Sequence, residues 1–92
     1  MSAQLLAQKT IDVLRRDGWC QGTFVNEHGQ HCLVGAMDHA FSFSDDVFSE
    51  DDYTLLRSRL YGHIRSTSLT RWNDRKCRTA KDVIKLLQKV AS

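Results

Sequence analysis

Two short stretches decide how this chain folds, Gly18-Trp19-Cys20-Gln21-Gly22 and Gly29-Gln30-His31-Cys32-Leu33-Val34-Gly35-Ala36. Tryptophan, cysteine, histidine and glycine are concentrated there, whereas the rest of the chain shows the apolar spacing of amphipathic helices. Residues 19–25 are rich in β-forming types, and Asn26-Glu27-His28-Gly29 supplies turn chemistry. The pattern predicts a small β-hairpin, with a short second strand at 30–32, that leads into a helix.

Four helices are predicted around this hairpin from apolar spacing and capping residues. Ser49, which precedes three acidic residues, and Thr79, which precedes Asp82 by three positions, are typical N-caps. Residues 42–49 are predicted to form a loop and 65–77 to be irregular. The predicted helices cover about residues 3–16, 33–41 and 50–64 and the segment after Thr79. The predicted fold class is α+β and helix-dominated, with about four helices and a small β-hairpin after the first helix.

The length and composition indicate one small globular domain, residues 1–92, with 41% hydrophobic and 26% charged residues. A core of this size leaves little net stability, which a homodimer interface would supplement. No stretch approaches the roughly 18 apolar residues that a membrane span needs, and the N-terminus lacks the features of a signal peptide. We therefore expect a cytoplasmic protein, in which Cys20, Cys32 and Cys77 stay reduced.

The charges are divided unevenly along the chain. Residues 1–56 contain three Lys and Arg against nine Asp and Glu, a net charge of −6, whereas residues 57–92 contain ten against two, a net charge of +8. Such halves can pair internally, associate head to tail between copies, or offer a basic surface to an anionic partner. Solvated faces with partial internal pairing are the simplest interpretation.

The basic half suggests nucleic-acid binding as one function. That function needs cations on one face together with a recognition helix or a stacking platform, and the sequence shows neither motif. The candidate residues are Arg57, Arg65, Arg71, Arg75, Lys76, Arg78 and Lys81.

Residues 41–52, in the acidic half of the chain, combine three phenylalanines with five acidic residues. Aromatic anchors surrounded by charge are typical of protein-binding surfaces. The alternative is a loop whose phenylalanines turn inward. The candidate partner-binding residues are Phe43, Asp45, Asp46, Phe48, Asp51 and Asp52.

A third group of residues is interpreted as a structural cluster. Asn and Asp fix loops by accepting hydrogen bonds from nearby backbone amides, and a tryptophan fills a gap in the core. A second interpretation makes Asn73 and Asp74 polar groups of a pocket roofed by a tryptophan. The cluster comprises Trp19, Cys20, Cys32, Trp72, Asn73 and Asp74.

Cys32 lies where the predicted strand meets a helix N-terminus, a position that lowers the pKa of a thiol. His31 or His63 would then be its base, but a buried, inert thiol is the more ordinary interpretation. The spacing of Cys20, His28, His31 and Cys32 does not match the paired ligands of structural zinc sites. The sequence therefore predicts no catalytic residue, no metal and no cofactor.

The combined pattern resembles a family of small uncharacterised proteins from actinobacteria and their bacteriophages. That family has no established activity, so the resemblance implies no catalytic residues. Its phage-borne members imply a small accessory protein that binds a host component. The motifs that resemble it are Gly18-Trp19-Cys20-Gln21-Gly22, Gly29-x-x-Cys32-x-x-Gly35-Ala36, Trp72-Asn73-Asp74 and Arg78-Thr79-x3-Asp82-Val83-x3-Leu87.

The leading functional hypothesis is therefore a non-enzymatic, cytoplasmic interaction module that binds a protein. Nucleic-acid binding by the basic half is the alternative, and a cysteine-dependent enzyme is a weaker one.

Overall fold

The computed structural model describes residues 2–92, which form five helices. These are α1 (Ala3–Asp17), α2 (Leu33–Phe43), α3 (Glu50–His63), α4 (Leu69–Asn73) and α5 (Ala80–Ala91). α1 packs against α2, α3 and α5, so it lies at the centre of the arrangement, while the short α4 packs against α2. No helix within residues 2–92 combines the length and the apolar character needed to cross a bilayer.

The predicted helix starts are confirmed, because the capping side chains make the expected hydrogen bonds. Ser49 accepts from the backbone N–H of Asp52, whose carboxylate accepts in return from the N–H of Ser49. Thr79 and Asp82 form the same reciprocal capping box at α5. These bonds satisfy donors that a helix N-terminus otherwise leaves free.

The prediction of a β-hairpin, and with it the α+β class, is wrong, since residues 2–92 contain helices and no sheet. His31 makes one isolated parallel bridge to Trp19 and one antiparallel bridge to Val25. The chain thus winds around His31 instead of laying two strands side by side. Gly22, inside the predicted first strand, has a φ angle of 84°, which interrupts the extended backbone that a strand needs.

The helix α4 was missed, because residues 65–77 were predicted to be irregular. Its five residues are too few to show an apolar period, and Ser68 caps it by accepting from the N–H of Arg71. α2 also continues to Phe43, two residues beyond its predicted end.

Apolar side chains of all five helices form the core. Each large aliphatic side chain buried there contributes about 1.5–3 kcal/mol. Phe48, from the segment between α2 and α3, is only 7% exposed and belongs to this core. The fully buried aliphatic side chains include Leu6, Leu33, Met37, Leu56, Leu60 and Leu87.

Gly35 is the point at which the loop 18–32 lies directly on α2. A Cβ atom added to Gly35 would be 2.0 Å from the backbone oxygen of Phe24, and this oxygen already accepts from the N–H of Cys32 at 3.1 Å. Only glycine therefore permits this approach of loop to helix.

Substitution of Gly35 by alanine should lower the free energy of unfolding by about 1–3 kcal/mol, because the loop must move off the helix. Gly62→Ala is the matched control, since Gly62 lies in α3 with no atom within 4 Å of an added Cβ. The control should be neutral or raise stability by up to about 1 kcal/mol. Urea denaturation measures both changes, and equal effects at the two sites would contradict the close approach.

Candidate functional site

The predicted structural cluster is brought together around the buried side chain of Asn73. Its Oδ1 accepts from Nε1 of Trp19 at 2.7 Å and from the backbone N–H of Leu33 at 3.0 Å. Its Nδ2 donates to the backbone oxygen of Cys20 and to Asp74. Asn73 thus joins α4 to the loop 18–32 and to the start of α2. Three of its four partners lie 40 or more positions away in sequence, whereas the expected ones were nearby backbone amides.

Trp72 fills the core as predicted and is 9% exposed. The guanidinium of Arg78 lies 3.8 Å from the centre of its ring, and Nε of Arg78 donates to the backbone oxygen of Trp72. Stacking of this kind fixes an arginine in place. Arg78, one of the candidate nucleic-acid contacts, is therefore also part of the structural cluster.

Cys32 caps α2, where its Sγ accepts from the backbone N–H of Gly35 at 3.3 Å. Its side chain is 3% exposed, and burial raises the pKa of the thiol above its ordinary value. The expectation that the helix N-terminus lowers this pKa is thus wrong, because loss of hydration outweighs the two backbone N–H groups.

Neither histidine considered as a base forms a pair with Cys32. His31 is hydrogen-bonded to Asp17, and His63 lines a different cavity together with Gln4 and Lys89. Among residues 2–92, no three His, Cys, Asp or Glu side chains are arranged to hold a metal ion.

The candidate site is a cleft of about 750 Å³ between the end of α1, the loop 18–32 and α2. Such a volume lies within the range of ligand-binding pockets. It is lined by Arg16, Asp17, Phe24, Val25, His28, Gly29, His31, Gly35, Asp38, His39, Ser42 and Phe43.

The floor of the cleft is a network built on Asp17. Nε and Nη2 of Arg16 both donate to its carboxylate at 2.9 Å, and Nε2 of His31 donates to it at 3.0 Å. The guanidinium and the imidazole together hold the pKa of the Asp17 carboxyl well below its usual range. The carboxylate therefore stays ionised and keeps both neighbours oriented.

The hydrogen-bond partner of His39 determines the protonation state of its ring. Nη2 of Arg16 can only donate, so Nε2 of His39, 3.2 Å away, must accept and His39 is neutral in this arrangement. Burial lowers the pKa of His39, and the nearby His31 and Arg16 lower it further. The rings of His31 and His39 are 5.0 Å apart.

The side chains of His31 and His39 are both held by this network. Nε2 of His31 is bonded to Asp17, and Nδ1 has no hydrogen-bond partner among residues 2–92. The side-chain hydrogen bonds of His31 and His39 reach only Asp17 and Arg16, and neither includes a hydroxyl or a thiol.

The rim of the cleft is apolar and exposed. Phe24, Val25 and Phe43 are 56%, 52% and 75% exposed, which is unusual for large apolar side chains in a small protein. A second cavity, of about 290 Å³, shares Arg16, His39 and Phe43 with the cleft. We call the two together the α1–α2 groove. The second cavity adds Lys9, Asp12, Val13, Ala40, Ser44 and Asp45.

The predicted partner-binding residues are separated by the fold. Phe43 and Asp45 line the α1–α2 groove, whereas Phe48 lies in the core. Asp46 forms a salt bridge with Lys9 at 3.4 Å. Asp52 belongs to the capping box of α3, and Asp51 is exposed in the first turn of that helix.

The predicted nucleic-acid contacts lie on α3, on the connection from α3 to α4, and on the segment from α4 to the start of α5. Arg65, Arg71, Arg75, Lys76 and Lys81 are exposed, and the guanidinium of Arg57 lies 6.0 Å from the ring centre of Tyr61. All four ion pairs found in residues 2–92 join positions between 9 and 46. The ten Lys and Arg residues of the basic half therefore have no salt bridge within the described chain.

The groove was largely missed in the sequence analysis. Arg16 and Asp17 end a helix, and nothing in their spacing connects them to His31 or His39. The only signal was the concentration of histidines after the first helix, which was considered for catalysis and metal binding and not for this network.

The chain belongs to DUF6197, a family of unknown function, whose pattern matches residues 2–92. This confirms the expected membership of a family without an assigned activity. An origin in actinobacteria or their bacteriophages stays a prediction. Comparison with curated proteins gives no match, and comparison with solved structures gives none either.

The lowered pKa of His39 makes the stability of the protein depend on pH. The unfolded chain binds a proton at His39 near its ordinary pKa of 6.5 and the folded chain only at lower pH. Stability contributed by neutral His39 should therefore be fully present above about pH 6.5 and decrease as the pH falls toward the folded pKa.

Urea denaturation across this pH range should give a smaller slope of stability against pH for His39→Gln than for the wild type. His63→Gln is the control for the loss of one histidine. A slope that changes as much in the control as in His39→Gln would contradict the assignment.

Proposed function

We propose that the chain is a small, non-enzymatic interaction module that binds another protein through the α1–α2 groove. The observation that supports this most is the convergence of Phe24, Val25 and Phe43 on one groove while remaining exposed. Exposed aromatic anchors beside fixed polar groups are typical of protein-binding sites. The ion-paired floor orients those polar groups before a partner arrives, which reduces the entropy lost on binding.

The resemblance to small proteins of actinobacteria and their bacteriophages supports a cytoplasmic accessory role with a host protein as the partner. The burial of Cys32, apart from both histidines considered as its base, supports a role without catalysis by that thiol.

The test is affinity capture of host proteins from a nuclease-treated actinobacterial lysate by the tagged chain, quantified by mass spectrometry. The double variant Phe24→Ser and Phe43→Ser should reduce recovery of the partner at least about tenfold, because each phenylalanine is an exposed anchor of the groove.

The matched control is the double variant Val47→Ser and Leu55→Ser. These side chains are 84% and 45% exposed but do not line the groove. The control should capture the partner as the wild type does, and circular dichroism should show all variants folded. Loss of capture in the control, or normal capture by the phenylalanine variant, would contradict the proposed surface.

Nucleic-acid binding is the second candidate, and the unpaired cations of the basic half favour it. The exposed Arg71, Arg75 and Lys76 would contact phosphates and release counterions. Binding to a duplex oligonucleotide, measured by fluorescence anisotropy, should then weaken steeply with salt. Arg75→Glu with Lys76→Glu should reduce the slope of log affinity against log salt by about 2. An absence of binding at low salt would eliminate this function.

A further inference from the structure

The α1–α2 groove and the basic half of the chain are complementary in charge, and the fold leaves both uncompensated. Asp12, Asp38 and Asp45 line the groove without a salt bridge among residues 2–92. The groove residues comprise four aspartates, one lysine and one arginine, which gives a net charge of −2 when the histidines are neutral. The groove is therefore apolar along its rim and acidic overall.

The chemistry of this groove fits an arginine-rich and lysine-rich segment. Guanidinium groups stack on aromatic faces, which Phe24, Phe43 and His39 provide. The aliphatic stems of Arg and Lys cover apolar surface while their charged ends reach the nearby carboxylates. A purely apolar partner would leave these carboxylates unpaired.

The chain itself contains such a segment, which we call the basic segment, residues 71–81. Arg71, Arg75, Lys76 and Lys81 are exposed there, on and after α4. None of them lines the groove of its own chain, and none forms a salt bridge within residues 2–92. The basic segment and the groove can therefore meet only between two copies.

We propose that a second copy of this chain docks its basic segment in the α1–α2 groove. The contact is heterologous, since each copy uses its groove on one side and its basic segment on the other. Heterologous contacts build rings or open chains of subunits instead of closed two-fold dimers. The same groove would then be shared between self-association and the binding of another protein.

Sedimentation velocity of the full chain tests this at two ionic strengths. At about 0.01 M salt the Debye length is about 30 Å, and the sedimentation coefficient should rise with protein concentration. At about 1 M salt the Debye length is about 3 Å, and the protein should sediment as a monomer. A monomer at low salt, or association that persists unchanged at high salt, would overturn the proposal.

Charge-reversed variants identify the two surfaces. Asp12→Lys with Asp45→Lys alters the groove, and Arg75→Glu with Lys76→Glu alters the basic segment. Each variant alone should be monomeric at low salt. An equimolar mixture should associate again, because the intact groove of one variant meets the intact basic segment of the other and the two reversed surfaces are also complementary in charge.

The control is Glu50→Lys with Asp51→Lys, which changes the net charge as much as the groove variant but at exposed positions outside the groove. The control should associate as the wild type does. Loss of association in the control, or no complex in the mixture, would show that net charge and not docking governs the behaviour. Either result would leave capture of a host protein unaffected, so the two proposals fail separately.

Discussion

The side-chain amide of Asn73 is the interaction on which the rest of this structure depends. It is fully buried, and both of its polar atoms have two hydrogen-bond partners. Those partners belong to the loop 18–32, the start of α2 and the end of α4. A buried donor or acceptor that loses its partner costs about 1–3 kcal/mol, so removal of this one side chain would affect three segments at once. The loop that it fixes also positions Phe24 and His31.

The groove follows from this arrangement. With the loop fixed on α2 at Gly35, the end of α1 and the loop bring Asp17 and His31 within hydrogen-bond distance. Asp17 then orients Arg16, which in turn determines the protonation of His39. The polar floor and the apolar rim are thus consequences of one packing geometry. The groove is acidic overall and the basic segment has no salt bridge, and this complementarity in charge is the basis of the proposed self-association.

Local signals were sufficient for most of the helices. Ser49 and Thr79 cap helices at the predicted positions, and the apolar residues of α5 are buried as their spacing indicates. The β-hairpin prediction was wrong because β-forming residues make a strand only where a second strand pairs with them. Here His31 forms single bridges to two separate residues and pairs with no strand. The helix α4 was not predicted because five residues are too few to show an apolar period. The network of Asp17, His31 and His39 was not predicted because its members are far apart in sequence.

The sequence by itself determined the helix starts, the apolar spacing of the long helices and the division of charge. Each of these depends on nearest neighbours along the chain or on composition. Only the tertiary structure decided that the loop 18–32 is not a hairpin, that Phe48 is buried while Phe43 is exposed, and that Asp17 meets His31. These outcomes depend on how α1 and α2 pack against the loop, because burial and long-range hydrogen bonds are properties of the whole packed chain and not of any short stretch.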